Sequence, residues 1–531
     1  MSARILIADP LSPRAEEILR EAGLAVDVKV GLKPAELKAI LPAYDGLAVR
    51  SATKVTAELL EAATRLKLIG RAGIGVDNID VPAASRRGVV VMNTPSGNAV
   101  TTAEHALALM MALARRIPQA TASLKAGRWE KKKFQGSELC DKTLGLIGLG
   151  NIGRIVADRA RGLRLKVIAY DPFISEEAAA KLGAELVPFD RLLARADIVS
   201  VHTPLTPDTR GLIGAQALKK CKPGVLIINA ARGGIVDEAA LAQALGSGQV
   251  AGAALDVFVD EPPQPDHPLL ALDSVICTPH LGASTEEAQE KVAIEVAEQM
   301  VAYFLRGEVR NAVNLPAIPR ELRERLAPHV DLAEKLGALA GQLVGGNIDQ
   351  IAIEVSGEPA EAGAKTVVAA ALAGLLRSHL DVPVNEVNAP VLAADRGIRL
   401  SETRRARGEN FASAVALRAS GRGWSRYVMG TIFQIAERAE PRVVVIDDFL
   451  LEIAPEGRIL VLRNEDKPGV IGSVGTFLGA RGINVSRMQV GLAPARQEAL
   501  QLWNIDGELT EAMLQEIRRL PHVRAAQQVT L

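Results

Sequence analysis

Three side chains of complementary chemistry follow three apolar runs in the middle of this chain: Arg232 after VLIINA, Glu261 after ALDVFV, and His280 at the end of VICTPH. Histidine is the side chain suited to moving a proton near neutral pH. A glutamate beside it favours the imidazolium form. An arginine offers a planar fork that grips a carboxylate in two places and polarises an oxygen on the neighbouring carbon. Together they are what interconverting an alcohol and a ketone next to a carboxylate requires, with the histidine as general acid and base. Singly, each has a plain structural alternative: an ion pair for Arg232, a surface loop acid for Glu261, a hydrogen-bonded core residue for His280. His202, which ends another apolar run before Thr203-Pro204, qualifies by position just as His280 does. Of the other histidines, His105 falls inside a helical pattern and reads as packing. His267 sits in the loop Asp266-His267-Pro268, and His329, His379 and His522 lie further along the chain.

A hydride needs an acceptor, and the sequence offers a place for one. Gly148-Leu-Gly150-Asn-Ile-Gly153 follows an apolar run and opens a helical pattern, and Asp171 closes the next apolar run about 20 residues on. In that context the first glycine allows the tight turn, the second lets backbone approach a pyrophosphate, and the third lets helix and strand pack closely. The helix N-terminus favours the anion. Asp171 would accept hydrogen bonds from the adenosine ribose and repel a 2′-phosphate, which predicts NAD rather than NADP.

These groups need a scaffold, and the apolar pattern supplies one. Strands are expected at 4–8, 25–30, 46–49, 68–70 and 89–92, alternating with helices such as 13–22 and 56–63. A long helix at 101–116 leads to a second series, with strands at 143–148, 166–171, 198–202, 225–230, 252–257 and 275–279. Such runs, rich in Val, Ile, Leu and Ala with little alternation, suit parallel strands covered on both faces. The class is therefore α/β, with a Rossmann-type doubly wound sheet. A helix at 285–306 is long enough to return to the first unit, which makes that unit discontinuous, and Pro316 and Pro319 mark a linker. The expected domains are 1–97 with 284–317 for substrate, 98–283 for the dinucleotide, 318–455 as an intervening α+β unit, and 456–531. The intervening unit mixes helices at 332–343 and 365–380 with strands at 351–356, 412–418, 443–446 and 449–453. The last unit reads β-α-β-β-α-β, the ferredoxin-like order.

Composition narrows the function classes. Lys and Arg number 62, as do Asp and Glu, so nothing at the level of the whole chain drives binding to nucleic acid or to an anionic membrane. No leader-like segment and no membrane-length apolar run is found, so a cytoplasmic location is expected. Cys140, Cys221 and Cys277 have the spacing of neither a disulfide framework nor a zinc site, and no metal is expected.

The runs AARGGIVDEAAL, DVFVDEPP and TPHLGASTEEAQ resemble the D-isomer-specific 2-hydroxyacid dehydrogenases. VRSATKVT, GRAGIGVDNID and MNTPSGNAVTTAEH, with the two extra C-terminal segments, narrow the resemblance to the long-form branch acting on phosphoglycerate. It spans essentially the whole chain and is weakest over 320–455. The resemblance implies a flavodoxin-like substrate domain and NAD-dependent oxidation of 3-phospho-D-glycerate to 3-phosphohydroxypyruvate, the entry to serine synthesis. It makes Arg232 the substrate-binding and polarising group, His280 the acid/base, and Glu261 its support. It places Gly148, Gly150, Ile152, Gly153, Arg154, Asp171, Thr203, Ala230, Asp256 and Gly282 around NAD, which leaves His202 as a strand-end neighbour. Arg50, Ser51 and Asn98 become substrate contacts, and Lys131 adds positive charge, across a subunit interface. The terminal unit resembles an ACT domain, which implies L-serine as effector, with Asp466 and Asn484 as its contacts, and assembly into a homodimer or homotetramer. The rival activities are reduction of glyoxylate or hydroxypyruvate, or NAD sensing without turnover. The first is disfavoured by Arg50, Asn98 and the terminal unit, the second by the intact set of Arg232, Glu261 and His280.

Overall fold

The structure, a computed structural model, describes residues 2–316, 320–408, 410–435, 438–493 and 497–531. Pro319 lies outside the described residues.

The first sheet has five parallel strands in the order Ala25–Val28, Arg4–Ile7, Gly46–Val49, Leu68–Arg71, Val90–Asn93. That is the flavodoxin-like order expected of the substrate unit. Gly46–Val49 is buried at all four positions, as its unbroken apolar run requires. Between the first two strands, the helix Pro13–Glu21 starts where Ser12 Oγ accepts the Arg14 N–H and Pro13 supplies a fixed φ in the first turn. The helix Glu286–Arg306 returns to this sheet, so the unit is discontinuous. It packs so closely that a Cβ at Gly70 would come within 2.6 Å of Val296 Cγ2.

The second sheet has seven parallel strands, ordered Val275–Cys277, Val250–Leu255, Val225–Asn229, Ile198–Val201, Thr143–Ile147, Lys166–Tyr170, Glu185–Leu186. The order reverses between Thr143–Ile147 and Ile198–Val201, and a doubly wound sheet opens its ligand crevice at such a point. The helix Ala99–Arg115 lies on this sheet and buries Ala103, Ala106 and Met110 in its core. The chain thus passes between the first two units twice, and the two crossings run side by side, with Thr101 Oγ1 3.5 Å from Thr285 Oγ1.

The third sheet has six strands, ordered Arg399–Arg405, Gln350–Ser356, Ala414–Gly421, Trp424–Ile435, Arg438–Ile446, Phe449–Ile453. The first pair is parallel and the others antiparallel. The helices Arg320–Leu343 and Ala364–Arg377 cover it. Two of its strands depart from expectation. Arg399–Arg405 is an edge strand exposed at every position, so its sequence RLSETRR carries no core-facing alternation. Trp424–Ile435 carries a bulge at Met429/Gly430 that breaks its period of two. A loop of this unit docks on the first one: Asn385 Nδ2 donates to the Gly88 carbonyl at 2.8 Å, and Val387 enters the first unit's core.

The last unit places Val485–Ala493, Glu498–Ile505, Arg458–Glu465 and Val523–Thr530 in one antiparallel sheet, with the helices Val470–Gly479 and Glu511–Arg518. This is the ferredoxin-like arrangement. Among the described residues, no helix is long and apolar enough to cross a membrane.

Candidate active site

At the switch point each glycine of the 148–153 loop meets a different constraint. Gly148 has φ +96°, and a Cβ there would come within 2.6 Å of the His202 carbonyl. A Cβ on Gly153 would lie 2.1 Å from the Gly148 carbonyl, so helix and strand touch through it. Gly150 has nothing within 4 Å of its Cβ direction and is the N-cap of the helix Asn151–Gly162. Turn, close packing and an open anion-facing N-terminus are therefore separately present. Ile152 packs under the loop, and exposed Arg154 donates from Nε to the Gly150 carbonyl at 3.2 Å. Asp171 accepts the Leu149 N–H at 2.8 Å and the Phe173 N–H at 2.9 Å, which ties the strand-end acid to the loop. Thr203 Oγ1 is enclosed without a protein partner beside Gly148, and Ala230 closes the floor as a buried strand end. A dinucleotide fits this set: an open helix N-terminus for its phosphates, a carboxylate for its ribose, and a hydroxyl still owed a hydrogen bond.

The two strand-end histidines separate completely. His202 is buried, its Nε2 lies 2.9 Å from Ser200 Oγ, and burial lowers its pKa to about 4. It is a neutral core residue. His280 stands partly exposed with φ +54°, its N–H donating to the Asp256 carbonyl at 2.9 Å. Its Nδ1 lies 2.7 Å from Glu261 Oε2. A carboxylate can only accept, so Nδ1 carries the proton and in the neutral ring Nε2 is the nitrogen with the lone pair. Burial pushes the Glu261 carboxyl up. Hydrogen bonds from His280 and the Phe258 N–H, with the charges of His280 and Arg232, outweigh that and leave it below its ordinary value.

Arg232 reaches across the cleft: its Nε donates to Asp77 Oδ2, in the first unit, at 2.9 Å, and Nη1 to the Ala231 carbonyl at 2.7 Å. It meets a residue that the sequence reading passed over. Arg71 ends the strand Leu68–Arg71, is largely buried, and its Nε has no hydrogen-bond partner. Burial, then the charges of Arg232 and Arg50, lower its pKa to about 10 against the opposing pull of Asp77 and Asp9. The signal was available: GRAG follows an apolar run directly, so its arginine sits at a strand's carboxyl end. The 50–53 turn is fixed from below by Asp9, which accepts the N–H groups of Arg50 (2.6 Å) and Thr53 (3.1 Å) and the Thr53 hydroxyl (2.6 Å). Ser51 is exposed on that turn, and Asn98 is buried with Oδ1 unpartnered.

Asp256 works from beneath. Its carboxylate is wholly enclosed and accepts the N–H groups of Leu281 (2.7 Å) and Gly282 (2.8 Å) and the Thr278 hydroxyl (2.6 Å). Burial pushes this carboxyl up, but hydrogen bonds, His105 first, leave it below its ordinary value. His105 is therefore more than packing: its Nε2 lies 3.1 Å from Asp256 Oδ1. Lys131 is exposed in the short 3-10 turn Lys131–Phe134, and among the described residues no hydrogen bond or ion pair joins it to the cleft. Asp466 and Asn484 are both exposed in the terminal unit, and no hydrogen bond joins one to the other.

Comparison with known proteins agrees with this geometry. Residues 107–282 match the NAD binding domain of D-isomer specific 2-hydroxyacid dehydrogenases, 325–447 the D-3-phosphoglycerate dehydrogenase intervening domain, and 458–522 the ACT domain. A D-3-phosphoglycerate dehydrogenase of Archaeoglobus fulgidus is 46% identical over 99% of this chain and 100% of its own length. One of Bacillus subtilis is 40% identical over 99% of each. The solved structure of a D-lactate dehydrogenase from Aquifex aeolicus, complexed with NAD and lactic acid, is 29% identical. It covers 59% of this chain and 100% of its own, with a TM-score of 0.53. The chain belongs to the D-3-phosphoglycerate dehydrogenase family of NAD-dependent D-2-hydroxyacid dehydrogenases.

Proposed function

We infer that the chain oxidises 3-phospho-D-glycerate to 3-phosphohydroxypyruvate with NAD, the first step towards serine. The observation that carries this reading is the 2.7 Å contact of His280 with Glu261, in a cleft where the charges of Arg232 and Arg50 act on buried Arg71. The 148–154 loop with Asp171, Thr203, Ala230 and the Asp256-braced Gly282 would hold NAD, which when bound supplies the acceptor for the C2 hydride. His280 offers Nε2 to the C2 hydroxyl and takes its proton, and the resulting imidazolium faces the Glu261 carboxylate. Arg232 binds the substrate carboxylate and polarises the C2 oxygen as it becomes a ketone. Arg50, Ser51, Asn98 and Arg71 receive the phosphate, whose charge suits guanidinium forks. Lys131 adds positive charge from a second copy. Residues 1–97 with 284–317 close on 98–283 and exclude water. A substrate panel followed at the NADH absorbance band tests this. Phosphoglycerate with NAD is turned over far faster than D-lactate or glycerate. Equal turnover of unphosphorylated acids, or a preference for glyoxylate reduction, overturns the reading.

The ACT unit suits regulation by a small ligand, and the ligand proposed is L-serine, between paired terminal units of a cytoplasmic homodimer or homotetramer. In support, Asp466 is exposed for an ammonium group, and Gly469 at φ +93° has open space above it for a carboxylate to reach backbone. Asn484 would add a donor and an acceptor.

A further inference from the structure

We propose that Glu238 and His267 form a clamp that positions the Glu261 loop and, through it, His280. The inference rests on Glu261 orienting His280, as read above. Loop 258–267 carries Glu261 but is not seated by packing alone. On one flank it borders a cavity of about 480 Å³ lined by Arg210, Gly234, Val259, Pro263 and His267 among others. One carboxylate from the body of the domain grips the loop at two points. Glu238, the first residue of the helix Glu238–Gly246, accepts the Val259 N–H through Oε1 at 2.7 Å and meets His267 Nε2 through Oε2 at 3.0 Å. The two grips fall on opposite sides of Glu261 in the chain.

The chemistry of the clamp is one-directional. His267 Nδ1 accepts the Leu269 N–H at 3.3 Å, so the ring proton sits on Nε2 and donates to Glu238. Both side chains are about four-fifths buried, at 18% and 19% exposure, where a charge-assisted hydrogen bond holds its geometry well. Phe258 passes the position on. Its ring meets the His267 ring edge-on at 5.6 Å, and its N–H donates to Glu261 Oε1 at 3.1 Å. Its carbonyl lies where a Cβ on Gly233 would be only 1.8 Å away. The residue beside the clamp therefore touches both Glu261 and the backbone next to Arg232. The charged groups facing the clamp are Arg210, Asp237 and Asp260, and Asp237 is already engaged in capping its helix through the Ala240 N–H. Those acting on the Glu261 carboxylate are His280 and Arg232.

The test uses the full-length chain and the variants Glu238→Ala, His267→Ala, His267→Gln, Glu261→Gln and the double variant Glu238→Ala/Glu261→Gln. It reads kcat, KM for NAD, the pH–rate profile and thermal melting. Misplacing a catalytic group by a fraction of an ångström costs about 10-fold or more in rate, so Glu238→Ala and His267→Ala lower kcat on about that scale with KM for NAD unchanged. Both move the acid limb of the oxidation profile in the same direction as Glu261→Gln. His267→Gln, whose amide N–H reaches the place of Nε2, recovers most of the loss. The double variant is no slower than Glu261→Gln alone, because a device acting through Glu261 then has nothing left to hold. An unmoved profile in Glu238→Ala, or losses that multiply in full, overturns the clamp. If Glu261→Gln itself leaves the profile in place, the role given to Glu261 falls and the clamp with it. If Glu261→Gln moves the profile and Glu238→Ala does not, only the clamp falls. Should Glu238→Ala fail to fold, the two His267 variants carry the same comparison.

Discussion

The cleft and the terminal unit use polar groups in opposite ways. In the cleft, acids hold the working loops. Asp9 collects the 50–53 turn, Asp256 the Leu281–Gly282 backbone, Asp171 the glycine loop, and Glu261 the ring of His280. In the terminal unit the buried polar groups serve the sheet itself: Trp503 Nε1 donates to Gln501, and Gln501 Nε2 to Asn464, in a chain closed to solvent. Asp466 and Asn484 stand outside it. A carboxylate accepts several N–H groups at once and donates none, which suits it to fixing a loop in one geometry. Catalysis demands that geometry before the substrate arrives. The ligand site proposed for the terminal unit can leave its final order to the ligand.

The comparison predicts large losses in the cleft and small ones at the end of the chain. His280→Ala should lower kcat by about 10²–10⁴-fold while NADH binding, followed by its fluorescence, stays largely intact. Near-normal turnover would break the contrast at its strongest point. Next come the arginines. Arg50→Ala and Arg71→Ala should raise KM for phosphoglycerate by about 10-fold or more, charge-assisted bonds being worth about 1.5–3 kcal/mol each. The effect on an unphosphorylated 2-hydroxy acid should be much smaller. Equal effects on both would move these arginines to the carboxylate or to the fold. Asp171→Ala should weaken NAD and narrow the gap to NADP by about 10-fold, on the scale of one lost hydrogen bond to a charged group.

A fourth prediction concerns pH. The folded value of His202, about 4, lies below its ordinary 6.5 because burial disfavours the cation. Between those two values the unfolded chain binds a proton here that the folded chain refuses, so stability falls as pH drops through that window. His202→Leu should flatten that part of the urea-unfolding stability curve. An unchanged slope would mean the imidazole is not held neutral. The smallest and most local effect belongs to the far end: Asp466→Ala should abolish the heat of L-serine binding in calorimetry. If wild type shows no heat with serine at millimolar concentration, the terminal unit senses something else.

How much of this was legible beforehand depended on range. The glycine loop and Asp171 announce themselves locally, because turn, strand and helix are contiguous in sequence. Arg232, Glu261 and His280 were legible because each follows an apolar run, and strand ends gather at one edge of a parallel sheet. The deciding contrast between His202 and His280 was not, since burial is a property of the packed sheet. His105 read as packing because nothing in a helical pattern reveals an acid from 151 residues away. Asp9 escaped for the same reason: its partners lie 41 and 44 residues on. Arg399–Arg405 was illegible as a strand because an edge exposed on both faces leaves no alternation to find.

The paired crossings between the first two units also have a mechanical meaning. A body tied to its neighbour by one strand can swing about any axis, whereas two tethers leave it a single easy rotation, as two hinges do for a door. Here the two crossings meet at Thr101 and Thr285, and Ser96 and Asn311 meet Glu295 on the first unit's side of them. On the closure proposed above, the jaw holding Arg50 and Arg71 would meet the jaw holding His280 along one arc. Such a closure would return the same atoms to the same places without any lock having to search for them.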